Sequence, residues 1–267
     1  MKKSTLKDRL RDGGVLVNGQ PQRKATYALV AGDVVELSRD KVMRHAPLAV
    51  EILHVDHDLV VVNKPSGLLT VGTGKGTSGE ATVLNTVGAM LRARGDRVGD
   101  RFFPCHRLDK GTSGVLLLPR SPEVQHFFFE HWGQTTKTYV AVVEGNVADD
   151  AGTIDAALFE DPQTLTVRVS TQPNARPART HYRVLQRSAA RTLVELQIDT
   201  GRKHQIRVHM LHLGHAVVGD DRYSKMSRRV RLCLHARALE FPHPADGVML
   251  RFEAKVPSLF ADLMRSP

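Results

Sequence analysis

The sequence predicts an α+β protein: a mainly antiparallel mixed sheet with helices packed against it, and a small module in front. Three observations lead there. Short β-like runs outnumber helical stretches from Ala49 onward. Many of these runs follow one another directly, which suits antiparallel pairing better than the strand-helix alternation of a parallel sheet. Residues 1–45 form a separate basic segment, too short for much of a core of its own. The expected division is therefore 1–45 and 49–267.

In chain order, Thr5 to Arg11 reads as a short helix, Gly13-Gly14 as a turn, and Val15-Leu16-Val17 as a strand. Asn18-Gly19 is a tight-turn signal, and a further strand is expected near Asp33 to Leu37. Residues 40–48, with Ala46-Pro47, read as a linker. Beyond it the strand candidates are Ile52-Leu53, Leu59 to Val62, Gly114 to Leu118, Tyr139 to Val143, Leu165 to Val169, His181 to Leu185, Thr192 to Ile198 and Met249 to Phe252. Helical patterns occupy Thr82 to Arg94, Pro122 to Trp132 and Lys203 to Leu213.

A chain of 267 residues that is 41% hydrophobic can bury one sizeable core, which excludes wholesale disorder. Cys105 and Cys233 lie far apart and lack a second pair at metal-ligand spacing, so neither a disulfide framework nor a zinc ribbon is expected. A reducing cytoplasm suits them. No apolar run approaches the roughly 20 residues of a membrane span, and the basic N-terminus has no signal-peptide core, so a soluble intracellular protein is expected. Nothing demands a dimer, and a monomer is the expectation.

The formal net charge of +10 points to a polyanionic partner, because neutralising phosphates releases counterions and supplies affinity without reading sequence. A merely solubilising surface is the alternative. Residues 1 to 46 hold ten Lys/Arg against five Asp/Glu, about half of the excess in a sixth of the chain. Lys2, Lys3, Lys7, Arg9, Arg11, Arg23 and Lys24 are the candidate RNA contacts there. Two smaller basic groups, Lys225, Arg228, Arg229 and Arg231, then Arg176 and Arg179, suit either reading.

Three segments carry candidate chemistry. In Val61 to Leu69 a buried strand stops at Lys64-Pro65-Ser66-Gly67, which taken alone is a strand and a tight turn. In His106 to Gly114, Asp109 lies between Arg107 and Lys110 in a polar loop that feeds an apolar strand; nearby positive charge favours an ionised carboxylate suited to attack on an electron-poor carbon. A turn aspartate bonded to backbone amides near Thr112 and Ser113 fits the same residues equally well. In Thr200 to His209, Arg202, Lys203 and Arg207 offer phosphate or carboxylate contacts, and Gln205 offers a hydrogen bond to a base edge. His209, His212 and His215 suggest a metal, but Gly214 reads as a helix stop that throws His215 off the helix, and no acidic partner motif accompanies them. No metal is expected.

Together these segments resemble the RluA-type family of pseudouridine synthases, over about residues 49 to 260. His106-Arg107-Leu108-Asp109 with Thr112-Ser113-Gly114 is similar to the family's catalytic loop. Lys137-Thr138-Tyr139, the Thr200 to His209 segment, Gly219-Asp220 with Tyr223, and Leu234-His235-Ala236 continuing to His243-Pro244 follow in the family's order. Gly111 departs from the pattern, which often has Asp or another polar residue there. Gly13 to Gly19 resembles the small alpha-L (S-four-type) RNA-binding motif, without its first helix; a basic β-hairpin arm is the alternative reading.

The resemblance implies isomerisation of uridine to pseudouridine in structured RNA: the bond from uracil N1 to ribose breaks, the ring turns, and it rejoins through C5. No cofactor is needed, since nothing is oxidised or transferred. Asp109 would attack the anomeric carbon or remove a sugar proton, Tyr139 would stack on the uracil and help remove the C5 proton, and Arg207 would pair with Asp109. Arg107 would fill the gap left by the flipped base, Ile206 would line the pocket, and Lys64 and Arg202 are further substrate-binding candidates. Large-subunit ribosomal RNA is the favoured partner, with transfer RNA the alternative. A non-catalytic RNA-binding assembly protein and a histidine-based metal hydrolase are the rival classes.

Overall fold

A computed structural model describes residues 10, 15–18, 20–22, 27–37, 49–72, 81–96, 101–224 and 230–265. The chain divides into two compact units, Met1–Ala49 and Val50–Pro267. In the first, β1 (Val15–Val17) pairs antiparallel with β2 (Gln20–Gln22) and with β3 (Val35–Leu37). Asn18, at φ 51°, opens the link from β1 to β2, as its residue type allows, and its side-chain carbonyl accepts from Val34 N–H at 2.9 Å. Apart from Leu10, which is helical, the expected helix of Thr5 to Arg11 lies outside the described residues. So do the turn at Gly13-Gly14, the linker at 40–48, Lys2, Lys3, Lys7, Arg9, Arg11, Arg23 and Lys24, and the cluster Lys225, Arg228 and Arg229.

The second unit is built on a mixed sheet. Its strands are β4 (Glu51–Val55), β5 (Leu59–Lys64), β6 (Ser113–Pro119), β7 (Thr136–Glu144), β8 (Ala151–Asp155), β11 (Arg179–Arg187), β12 (Arg191–Ile198), β13 (Leu234–Pro242) and β14 (Met249–Glu253). The order across the sheet is β4-β5-β6-β13-β7-β12-β11-β8, with β14 on β13. All pairs are antiparallel except β6 with β13. β9 (Leu158–Glu160) and β10 (Val167–Val169) form a separate hairpin. The helices are α1 (Val83–Ala93), α2 (Pro122–His131), α3 (Gln205–His212) and α4 (Ser258–Arg265). The α+β expectation holds.

Side-chain alternation sends each central strand to two cores. Val60 and Val62 of β5 join Leu116 and Leu118 of β6 under Val83, Val87 and Leu91 of α1. Leu59 and Val61 join Val115 and Leu117 against Val124 and Phe128 of α2. Likewise, Ala141 and Val143 of β7 pack with Ile206 and Met210 of α3, while Val140 and Val142 pack with Phe260 and Met264 of α4. Burying each such Val, Leu, Ile or Phe contributes about 1.5–3 kcal/mol. Helices on both faces explain why β5 and β6 read as unbroken apolar runs rather than alternating ones.

The helix ends follow local rules. Thr82 and Ser121 cap α1 and α2 by accepting from Asn85 and Val124 N–H, both at 3.2 Å, and Pro122 starts α2 where no amide donor is needed. Gly214, at φ 94°, ends α3: its N–H donates to Leu211 C=O at 2.9 Å and that of His215 to Met210 C=O at 2.8 Å. Gly114, at φ 116°, has a stricter task, because a Cβ there would lie 2.1 Å from Ala236 C=O across the β6–β13 pair. Gly114→Ala is expected to cost about 2 kcal/mol or more through this clash and the strained backbone, read as a lowered thermal midpoint.

Candidate active site

Asp109 sits in a turn closed by Thr112 N–H on Asp109 C=O, at 3.1 Å, just before β6. The neighbouring Lys64–Thr70 segment clamps that turn. Gly67 N–H donates to Lys110 C=O at 2.7 Å, Ser66 Oγ to Gly111 C=O at 2.6 Å, and Thr70 Oγ1 to Leu108 C=O at 3.0 Å. The segment that reads alone as a plain turn thus holds the loop carrying the candidate carboxylate. Gly111 lies against Leu232, whose Cβ would be 3.1 Å from an added Cβ, a local reason for the departure from the family pattern.

Lys64 needs a correction. As a substrate contact it would have to reach the cleft, but it is fully buried, and its ammonium donates to Pro65, Leu68 and Lys110 carbonyls at 3.0, 2.7 and 3.2 Å. All three protons are taken. Burial pulls its pKa down to about 7, with Asp109 opposing and Arg231 reinforcing the shift.

The other six residues expected at the site, Arg107, Asp109, Tyr139, Arg202, Ile206 and Arg207, line one cleft. It opens where the core under α1 meets the core under α3, and Tyr139 packs against both. Arg207 Nη1 donates to Asp109 Oδ2 at 3.0 Å, so the carboxylate bonds to a guanidinium rather than to the turn amides. Arg207 also forms two bonds of 2.7 Å with Asp220. Asp220, whose side chain is wholly buried, accepts in addition from Arg222 and Tyr223 N–H, both at 3.1 Å. Burial disfavours the charged guanidinium, but Asp220 and then Asp109 outweigh it and raise the Arg207 pKa. Arg107 and Arg202 stand exposed at the rim. Among the described residues the Tyr139 hydroxyl has no hydrogen-bond partner, and burial, reinforced by the negative charge of Asp109, raises its pKa.

One further expectation changes. Gln205 is buried: its amide donates to Arg179 C=O and Thr180 Oγ1, and its carbonyl accepts from Thr200 Oγ1 and Arg202 N–H. Nothing is left for a base edge. His209 is engaged by Thr180 Oγ1 and Ala156 C=O, both at 2.9 Å, and His215 by Glu144 C=O at 2.9 Å, so these rings serve the packing of α3 and its exit. Sequence reasoning gave no role to Asp220 or His204. Each stood inside a quoted motif, and that was the available signal.

A carboxylate paired with a largely buried arginine in a cleft with further arginines at its rim suits an enzyme that acts on a polyanionic substrate. Residues 58–212 match the family described as RNA pseudouridylate synthase, and the chain isomerises uridine in RNA. It is 31% identical to the ribosomal large subunit pseudouridine synthase D of Yersinia pestis, over 99% of this chain and 86% of that protein. It is 34% identical to the tRNA pseudouridine synthase C of Pectobacterium carotovorum subsp. carotovorum, over 89% and 67%. The solved structure of human RNA pseudouridylate synthase domain containing 4 superposes with a TM-score of 0.65 at 28% identity, covering 79% of this chain and 90% of that one. The chain belongs to the RluA-type pseudouridine synthase family.

Proposed function

We propose that Asp109 is the catalytic carboxylate and that the substrate is large-subunit ribosomal RNA. The observation that carries the first half is that Asp109 is the one carboxylate among the described residues lining the cleft. For the target, the ribosomal relative aligns over 99% of this chain and the transfer-RNA relative over 89%. Transfer RNA is the second reading, because the transfer-RNA relative is 34% identical over 89% of this chain. The N-terminal unit adds phosphate contacts in this proposal, through Lys2, Lys3, Lys7, Arg9, Arg11, Arg23 and Lys24. The free thiols Cys105 and Cys233 suit a reducing cytoplasm.

A stacked uridine cannot reach Asp109, so the base is flipped out at a cost of a few kcal/mol, roughly. Arg107, exposed at the rim, takes the vacated place, and Arg202 holds backbone. Tyr139 and Ile206 enclose the uracil. With its raised pKa Tyr139 works as a neutral phenol, stacked on the base with its hydroxyl free to relay the C5 proton, the phenol oxygen taking that proton as its own passes to solvent water. Tyr139→Phe keeps the ring and is expected to slow isomerisation by about 100-fold or more with RNA affinity unchanged, measured in single-turnover assays.

The target is tested with RNA tritiated at uracil C5, from cells lacking the enzyme. Tritium release from large-subunit ribosomal RNA and none from transfer RNA is expected. Release from transfer RNA alone overturns the assignment in favour of the second reading.

A further inference from the structure

His204 has no part in the expected site, yet three features of its surroundings set it apart. Its backbone is left-handed, φ 54° and ψ 19°, at the residue just before α3, a conformation side chains other than glycine rarely adopt and that tends to persist at functional sites. Its ring lines the cleft, with Nε2 3.7 Å from Asp109 Oδ2, the same oxygen that Arg207 holds. Its Nδ1 lies 2.7 Å from Tyr223 Oη, which accepts from Val167 N–H at 3.1 Å.

Electrostatics select the tautomer. A lone pair on Nε2 would face a carboxylate oxygen, whereas a proton there is attracted to it. With the proton on Nε2, Nδ1 becomes an acceptor, and the Tyr223 hydroxyl donates to it. Burial pushes the His204 pKa down to about 4; Asp109 opposes this, and Arg207, Lys203 and Arg222 reinforce it. The ring is therefore neutral at physiological pH and has one proton to place.

We propose that Tyr223 and His204 are positioning residues for Asp109: Tyr223 holds His204 as the Nε2–H tautomer, and that N–H closes on Asp109 Oδ2 when RNA binds. A movement of about 0.7 Å brings the pair to ordinary hydrogen-bond length, the kind of tightening that free-enzyme geometries undergo. Oδ2 is then held by His204 and Arg207. Oδ1, which has no hydrogen bond among the described residues, is the oxygen turned to the ribose. This rests on the isomerase activity, not on which RNA is the target.

The test combines a readout without RNA and one with it. Nitrogen NMR of histidine-labelled wild type is expected to show His204 as the Nε2–H tautomer, and Tyr223→Phe to shift it to a mixture. In single-turnover tritium release from total cellular RNA, His204→Ala is expected to fall about 10- to 100-fold with RNA affinity within about twofold. His204→Gln, whose amide N–H can stand near the place of Nε2, is expected to recover to within about fivefold of wild type. An Nδ1–H tautomer in the wild type, His204→Gln as slow as His204→Ala, or a His204→Ala variant at full rate each overturns the proposal. If His204→Ala does not fold, the wild-type and Tyr223→Phe tautomers and the His204→Gln rate decide it.

Discussion

Asp109→Asn is expected to slow tritium release by about 10⁴-fold or more, since it removes the carboxylate proposed to attack or abstract. The fold should survive. Asn has the same shape, and Arg207 keeps both bonds of 2.7 Å to Asp220, so the buried guanidinium is not stranded. What is lost is one charge-assisted bond of 3.0 Å to a carboxylate 22% exposed, a loss of about 1 kcal/mol or less. For a unit of this size that lowers the thermal midpoint by about 2–4 °C. RNA affinity should hold, because phosphate contacts supply most of it. Single-turnover assays, filter binding and a thermal melt separate these outcomes. A variant near wild-type rate would remove Asp109 from the chemistry.

The parts of this picture legible in the sequence are those whose signal is local. β5, β6, β7 and β12 read as strands because runs such as Leu59 to Val62 are apolar and short, and Thr82, Ser121 and Gly214 mark helix ends by residue type. β13 carries no such signal although it lies between β6 and β7 in the sheet. Its sequence, LHARALEFP, mixes helix formers with charges at Arg237 and Glu240, and only its neighbours and the ion pairs of those charges make it a strand. β8 and β9 are hard to read for a different reason: at 5 and 3 residues they are too short to show a period.

At the site, the division is sharper. Asp109, Tyr139 and Arg207 stand far apart in the chain, and only the family resemblance joined them. Lys64 and Gln205 misled because a polar residue in a motif reads the same whether it faces a ligand or the backbone. The structure decides by counting donors: Lys64 has none free, and Gln205 has spent both ends of its amide.

Asp220→Ala is expected to do what Asp109→Asn does not, unsettling fold and chemistry together. Asp220 is buried and takes two bonds from Arg207, whose side chain is only 8% exposed. Its removal leaves that charge with a single bond to Asp109 and frees the Arg222 and Tyr223 amides. Breaking a buried pair from one side costs about 3–5 kcal/mol, or about 6–20 °C in thermal midpoint for a unit of this size. Pairing the change with Arg207→Met removes both charges. Well-packed apolar replacements of a buried pair are often neutral or better, so this double variant should melt higher than Asp220→Ala while its tritium release stays suppressed, because Asp109 has lost its arginine. Recovery of stability without recovery of rate would mean that the Asp220–Arg207 pair is kept to aim Asp109. A double variant less stable than the single one would instead make the network, including the two amides on Asp220, part of what holds the sheet and α3 together.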